Sequence, residues 1–186
     1  LGEITAGGVV EPNAEWTAAA ERHINGALKE FMVTRNAKLV TYSPPTAGRD
    51  KHNLHQQIIK LHTAIGLSIL QHQFQTPFQL PTKRDSFDWS MGGDLRELRA
   101  SSGADYGLFL YVQDTYASSG RAAAIVVAAL FGVGLQGGTQ LGFASLVDLN
   151  SGEIVWFNRL ARAAGDLRKS KPAKESVGVL MKDFPA

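Results

Sequence analysis

Two long stretches of the chain place apolar residues at helical spacing. The first runs from Asn13 to Thr34, and most of its charged residues fall between the apolar positions. Asn13 is a suitable N-cap, because its side-chain oxygen can accept a hydrogen bond from a free backbone N–H. The second stretch runs from Asp50 to Gln73, with apolar steps of three and four residues. Both stretches predict amphipathic helices.

Two shorter helices are also predicted. Leu95 and Leu98 lie three residues apart, ahead of Gly103, which suits a left-handed C-cap position. Pro172 lies near the start of a closing helix. Apolar residues follow it at helical spacing, namely Val177, Leu180, Met181 and Phe184.

Strand patterns occur in both halves of the chain. A short strand is predicted over residues 37–43, ended by two prolines that cannot continue a ladder. Residues 106–112 are apolar at both parities, which predicts a well-buried, central strand. Residues 139–149 and 153–163 form a predicted hairpin, joined by the turn residues Asn150, Ser151 and Gly152.

The order of these elements predicts a mixed α/β fold. We expect one domain over residues 1–186, with a central mixed sheet, a hairpin in the C-terminal half and three to four packed helices. Residues 1–12 are expected to form an extended arm, and residues 76–90 a loop.

Composition narrows the function classes. The 186 residues are 44% hydrophobic and 19% charged, as in one globular domain. A formal charge of +2 gives no sign of nucleic-acid binding. The absence of cysteine excludes disulfides, cysteine-ligated zinc and thiol nucleophiles. The chain begins at Leu1, which is expected if a leader was removed from a secreted or lipid-anchored precursor, or if the chain was trimmed.

One apolar, glycine-rich segment stands out at residues 122–138, which carry no charge. As a helix over residues 122–136 it would span about 22 Å, short of the roughly 30 Å hydrocarbon core of a bilayer. We expect a buried helix or strand. The alternative is an element that contacts a membrane or a partner protein. Its contact residues would then be Ile125, Val126, Leu130 and Phe131, and a homo-oligomer could bury the same residues.

Three glycines in this segment match the dinucleotide-binding pattern GxGxxG. They are Gly132, Gly134 and Gly137. The following residues resemble a strand rather than the helix that such a site requires. We favour a packing role for these glycines, with small-molecule or nucleotide binding at the turn of residues 132–138 as the alternative.

No assembled catalytic motif is present. His52, His55, His62 and His72 fall on the second predicted helix, without a nearby HExxH or ExxH pairing. We therefore expect solvated or core-edge histidines and no metal site, no cofactor and no enzyme activity. Two further groups are candidate partner anchors, although sheet packing is favoured. The first is Asp114, Tyr116 and Arg121, and the second is Trp156, Phe157, Arg159 and Arg162.

Two motifs carry a family resemblance. The first is Gly103, Ala104 and Asp105 between a helix and a strand; the second is the hairpin sequence with Val147, Asp148, Gly152, Glu153 and Trp156. This pattern resembles a superfamily of bacterial envelope lipoproteins. The superfamily includes the amino-terminal domain of the Tol-system periplasmic protein, the curli-secretion lipoprotein and the transport-auxiliary lipoproteins.

The resemblance covers about one third of the chain and implies a location as well as a fold. Such domains lie on the periplasmic side of the Gram-negative envelope, often tethered by a lipid. We therefore expect a non-enzymatic periplasmic accessory or assembly subunit of an envelope complex, derived from a lipoprotein. Its partners would be envelope proteins or further copies of itself. Channel formation is not carried over, because residues 122–138 are too few for two barrel strands.

Overall fold

The structure, a computed structural model, describes residues 1–35, 37–42, 49–163 and 165–185, with the backbone alone for residues 49–52. Five strands form one mixed sheet in the order β2-β1-β3-β4-β5. Their bounds are Gly2–Ile4 (β1), Val10–Pro12 (β2), Tyr106–Ala117 (β3), Gln140–Asp148 (β4) and Ile154–Arg162 (β5). β1 runs parallel to β3, and the other neighbouring pairs are antiparallel.

Five α-helices surround this sheet. Their bounds are Ala14–Thr34 (α1), Arg49–His72 (α2), Arg96–Ser102 (α3), Ser119–Leu130 (α4) and Ser170–Leu180 (α5). α1 and α5 cover one face of the sheet, while α2 and α3 cover the other. The predicted mixed α/β fold is confirmed. The sequence predicts three to four helices. The described residues contain one more because residues 119–130, whose sequence does not distinguish helix from strand, form α4.

The local signals behind these elements act as expected. Asn13 caps α1, since its Oδ1 accepts a hydrogen bond from the backbone N–H of Trp16 at 3.0 Å. Gly103 ends α3 in the left-handed conformation, with φ of 67°. The predicted hairpin is β4 and β5, and β3 lies in the middle of the sheet. Residues 1–12 contain β1 and β2, which pair with each other antiparallel, and β1 also pairs with β3.

The predicted strand at residues 37–43 is wrong for residues 37–42. These residues are irregular and pair with no strand among the described residues, and Ser43 lies outside them. A strand needs a neighbour that supplies hydrogen bonds as well as a suitable side-chain pattern. Residues 37–42 have the pattern but lie unpaired beside a groove.

β3 is also less buried than its sequence predicts. Most of its side chains are half-buried, and Tyr106 is exposed. The pairing of β1 with β3 covers only Thr115–Ala117. The N-terminal part of β3 therefore has a described neighbour on one side only, namely β4.

Gly66 of α2 and Phe143 of β4 form a close contact between a helix and the sheet. Phe143 is fully buried, and its ring lies where a side chain on Gly66 would stand, with a Cβ placed there only 2.0 Å from the ring. Position 66 therefore requires glycine, because the Phe143 ring approaches the helix backbone too closely to leave room for a side chain. The ring of Phe143 also stacks on Tyr111 and Phe157, at centroid distances of 5.2 and 5.5 Å.

We predict that Gly66→Ala destabilises the fold although alanine favours helices. The new methyl group would overlap the Phe143 ring, and overpacking of this kind costs about 1–3 kcal/mol. Gly26→Ala in α1 is the matched control, because nothing lies within 4 Å of its added Cβ. The control should gain up to about 1 kcal/mol from helix propensity. Urea unfolding measures both variants, and equal stability of the two would contradict the prediction.

Candidate functional site

The most exposed apolar surface of the described chain lies on α4 and the turn that follows it. We define the α4 surface as Val126, Val127, Leu130, Phe131 and Val133. Leu130 and Phe131 are 79% and 80% exposed. The expectation of a buried core element at residues 122–138 is therefore wrong, since no residue of α4 is buried. Of the four predicted contact residues, Val126, Leu130 and Phe131 are exposed, and Ile125 is half-buried.

Two hydrogen bonds fix the N-terminal end of α4. The Ser118 Oγ accepts a hydrogen bond from the backbone N–H of Arg121 at 3.0 Å and caps the helix. The Arg121 Nε donates to the backbone oxygen of Gln136 at 3.1 Å, which joins the start of α4 to the returning chain. These contacts fix the start of α4 beside the chain that returns to β4.

The glycine pattern does not have the geometry of a dinucleotide site. Gly132 has φ of 71°, which terminates α4, and the chain then continues to β4. The order is helix, turn and strand, the reverse of the strand, turn and helix that present a helix N-terminus to a pyrophosphate. The predicted packing role holds for Gly137 alone, where a side chain would touch Ile125; nothing lies within 4 Å of a Cβ added at Gly132 or Gly134.

A second feature is a groove of about 850 Å³ beside the N-terminal part of β3. We call it the edge groove. One wall comes from α1, including Leu28 and Met32, and the other from α2, including Ile58 and Ile59. The floor is residues 106–111 of β3, and residues 37–42 lie along the opening. Its volume lies within the range of ordinary ligand sites.

Two of the predicted histidines lie in this groove. His55 and His62 are each only 2% exposed, so the expectation of solvated or core-edge positions is wrong for them. The His62 Nε2 lies 2.8 Å from the Ser145 Oγ, and burial lowers the pKa of His62 to about 4. Neither ring nitrogen of His55 has a hydrogen-bond partner within the described part of the chain.

The other histidines are separate from this pair. His72 lies at the end of α2, with its Nδ1 2.9 Å from the Phe78 backbone oxygen. The side chain of His52 lies outside the described residues. Over the described residues, no group of three or more His, Asp or Glu side chains is placed to hold a metal ion.

Asp114 and Tyr116 do come together, but in a buried network from which Arg121 is absent. The Asp114 carboxylate is buried and accepts hydrogen bonds from the Tyr116 hydroxyl and, at 2.8 Å, from the Gln140 Nε2. Burial and the Asp114 carboxylate raise the pKa of Tyr116 far above its usual range. The Leu167 N–H donates to the Tyr116 hydroxyl at 2.8 Å. The network ties β3 and β4 to the chain before α5, a structural role.

Gln140 was not predicted for this network. It lies within an ordinary strand pattern, and nothing local marks it as the partner of a carboxylate 26 residues earlier. The antiparallel register places Gln140 directly opposite Asp114. Once β3 and β4 are aligned as neighbours, that register is the signal that identifies the pair.

The aromatic and arginine residues of β5 serve packing. Trp156 faces α5 and meets Phe184 edge-on at 5.2 Å, whereas Phe157 stacks on Phe143 on the opposite face. The Arg159 guanidinium lies 4.1 Å from the ring centroid of Phe74. Arg162 donates to the Ser176 Oγ at 3.0 Å. Alternation along β5 thus places Trp156 and Phe157 on opposite faces of the sheet, in agreement with the favoured sheet packing.

The residues that carry the family resemblance have structural contacts. Asp105 forms an ion pair with Arg99 at 2.9 Å. The Asp148 carboxylate accepts from the backbone N–H groups of Asn150 and Ser151, at 2.7 and 2.9 Å, and closes the hairpin turn. A side chain on Gly152 would collide with the backbone of Gly92.

Comparisons with protein-family models, curated proteins and solved structures found no match to this chain. None of the described helices is both long enough and apolar enough to cross a membrane.

We predict that His62 makes the fold sensitive to acid. Its folded pKa of about 4 lies below the ordinary histidine value of 6.5, so only the unfolded chain takes up this proton as the pH falls between those values. Stability from His62 is complete above pH 6.5 and declines toward pH 4, by up to about 1.4 kcal/mol per pH unit. Urea unfolding across this range should show a shallower pH dependence for His62→Gln than for the parent chain. His72→Gln is the control and should keep the parent's slope; the same slope in all three proteins would contradict the prediction.

Proposed function

We propose that this protein is a non-enzymatic accessory or assembly subunit of a bacterial envelope complex and that it contacts a partner protein through the α4 surface. The observation that carries the proposal is the exposure of five large apolar side chains on α4 and its following turn. An apolar patch of this kind on a folded domain marks a contact surface.

The charge distribution around α4 favours a protein partner over a lipid surface. Helices that lie in a membrane interface carry lysine and arginine on their polar face. α4 contains one charged residue, Arg121, and its guanidinium already donates to the backbone of Gln136. The sequence from 122 to 147 is free of charge, so the complementary surface on the partner is apolar.

The location follows from the family resemblance. The proposed compartment is the periplasm, and the proposed attachment is a lipid on the precursor. The turn and cap residues that carry the resemblance form hydrogen bonds and an ion pair with structural roles, and these contacts assign no chemistry. Membrane fractionation of the full-length gene product tests the location, and recovery in the cytosol would overturn it.

We predict that a photo-crosslinking residue at Phe131 captures a defined envelope protein in cells of the source bacterium. Leu130→Glu in the same chain should reduce this cross-link by about tenfold or more, because burial of a carboxylate in an apolar contact is costly. Stability should change by no more than about 0.5 kcal/mol, as is usual for exposed positions. Mass spectrometry identifies the captured protein.

Val33 supplies the matched control, since it is 78% exposed and lies on α1, away from α4. A cross-linker at Val33 should capture nothing specific, and Val33→Glu should leave the Phe131 cross-link intact. Cross-links to a second copy alone would replace the accessory role with self-association through α4. Cross-links to lipid alone would replace it with membrane contact.

A further inference from the structure

The N-terminal part of β3 has unused backbone hydrogen-bonding groups. Thr115 donates its N–H to the Thr139 oxygen at 3.0 Å, and Leu149 donates to the Asp105 oxygen at 2.9 Å. The antiparallel alternation between these two points directs the N–H and C=O groups of Phe109 and Tyr111 toward β4. Those of Leu108 and Leu110 therefore point to the opposite edge, where no described residue pairs with them.

The edge groove lies along this open edge and is apolar on both sides. Leu28 and Met32 flank it from α1, while Ile58 and Ile59 flank it from α2. A strand inserted here would have helices against both of its faces. Strands in such positions are apolar at both parities rather than alternating.

Polar features of the groove indicate what else an occupant would carry. His55 is buried in the lining, with both ring nitrogens unpartnered in the described chain. Buried polar side chains normally have a hydrogen-bonding partner. Lys29 and Lys38 are the charged residues of the described lining, and no aspartate or glutamate accompanies them. The groove is therefore complementary to a peptide with acidic residues.

We propose that the edge groove is a binding site for an extended peptide segment of a partner protein, which adds to β3 as a further strand. The segment is apolar at consecutive positions and carries an acidic residue that faces Lys29 or Lys38. Its backbone pairs with Leu108 and Leu110, as in other cases of strand addition. This site is independent of the α4 surface, which follows the other end of β3, so each proposal can fail without the other.

The open edge argues for a peptide over a small apolar ligand. A small ligand could fill the volume between the helices, but it would leave the aligned N–H and C=O groups of Leu108 and Leu110 unpaired. Residues 37–42 are the internal competitor, since they have a strand-like sequence and already lie along the groove. They have no ladder with β3, and no other described residue pairs with this part of the edge.

The test uses a defined probe, the acetylated and amidated hexapeptide Asp-Val-Ile-Val-Ile-Asp. Binding is followed by fluorescence anisotropy and by residue-resolved amide exchange in the complete chain. We expect saturable binding that slows exchange at Leu108 and Leu110 by about tenfold or more. The amides of Phe109 and Tyr111 already pair with β4 and should not change. The matched control peptide carries N-methyl groups on its four apolar residues and should not bind.

Charge variants test the acidic requirement separately. Lys29→Glu and Lys38→Glu should each weaken binding of the hexapeptide several-fold, with a larger effect in the double variant. Lys60→Glu on α2 is the control, because Lys60 is exposed and lies outside the groove lining. If the hexapeptide bound both lysine variants as tightly as it binds the parent chain, the acidic requirement would be overturned.

Three results would overturn strand addition itself. One is protection of Leu108 and Leu110 in the free protein, which would show that the chain already covers its own edge. The second is equal binding of the N-methylated peptide, which would show that the groove binds apolar side chains without forming hydrogen bonds to the peptide backbone. The third is absence of binding by the unmodified hexapeptide.

Discussion

The contact between Gly66 and Phe143 sets the distance between α2 and the sheet. With no side chain on Gly66, the helix approaches until the Phe143 ring lies against its backbone. That ring also stacks on Tyr111 and Phe157, so the same contact orders an aromatic layer across three strands. His62 is drawn into this layer, 5.3 Å from the Phe143 ring, which explains both its burial and its lowered pKa. The position of α2 in turn fixes one wall of the edge groove.

The opposite face depends on a polar constraint. A buried carboxylate must be compensated by hydrogen bonds, and Asp114 takes its donors from β3, from β4 and from the chain before α5. Gln140 extends the network, since its Oε1 accepts a hydrogen bond from the Ser176 hydroxyl of α5 at 2.6 Å. The face beneath α5 thus combines this hydrogen-bond network with the apolar packing of α1 and α5, whereas aromatic stacking is prominent beneath α2.

Local signals made much of this fold predictable. The helical spacing of α1, α2 and α5, the Asn13 cap and the hairpin turn all act within a few residues of one another. Residues 37–42 show the limit, because their strand-like pattern needs a neighbour that only the tertiary structure can supply. The exposure of α4 could not be predicted from the sequence for a related reason, because the sequence of an uncharged apolar helix does not show whether the helix is buried or exposed. Likewise, the edge groove is formed by elements far apart in sequence, and so is the surrounding of His55, whose ring nitrogens have no hydrogen-bond partner in the described residues.

β3 connects the two features that the domain leaves incomplete. At its N-terminal end the sheet stops short, because β1 is only three residues long and reaches no further than Thr115. At its C-terminal end the chain leaves the sheet at once into α4, whose apolar residues have nothing to cover them in this structure. Burying apolar area contributes roughly 25 cal/mol per Å², so both features would gain free energy in a complex that they do not gain in the isolated chain. The two proposals therefore meet on β3: a peptide strand would pair with the backbone of its N-terminal part, and a partner surface would cover the apolar residues that follow its C-terminal end.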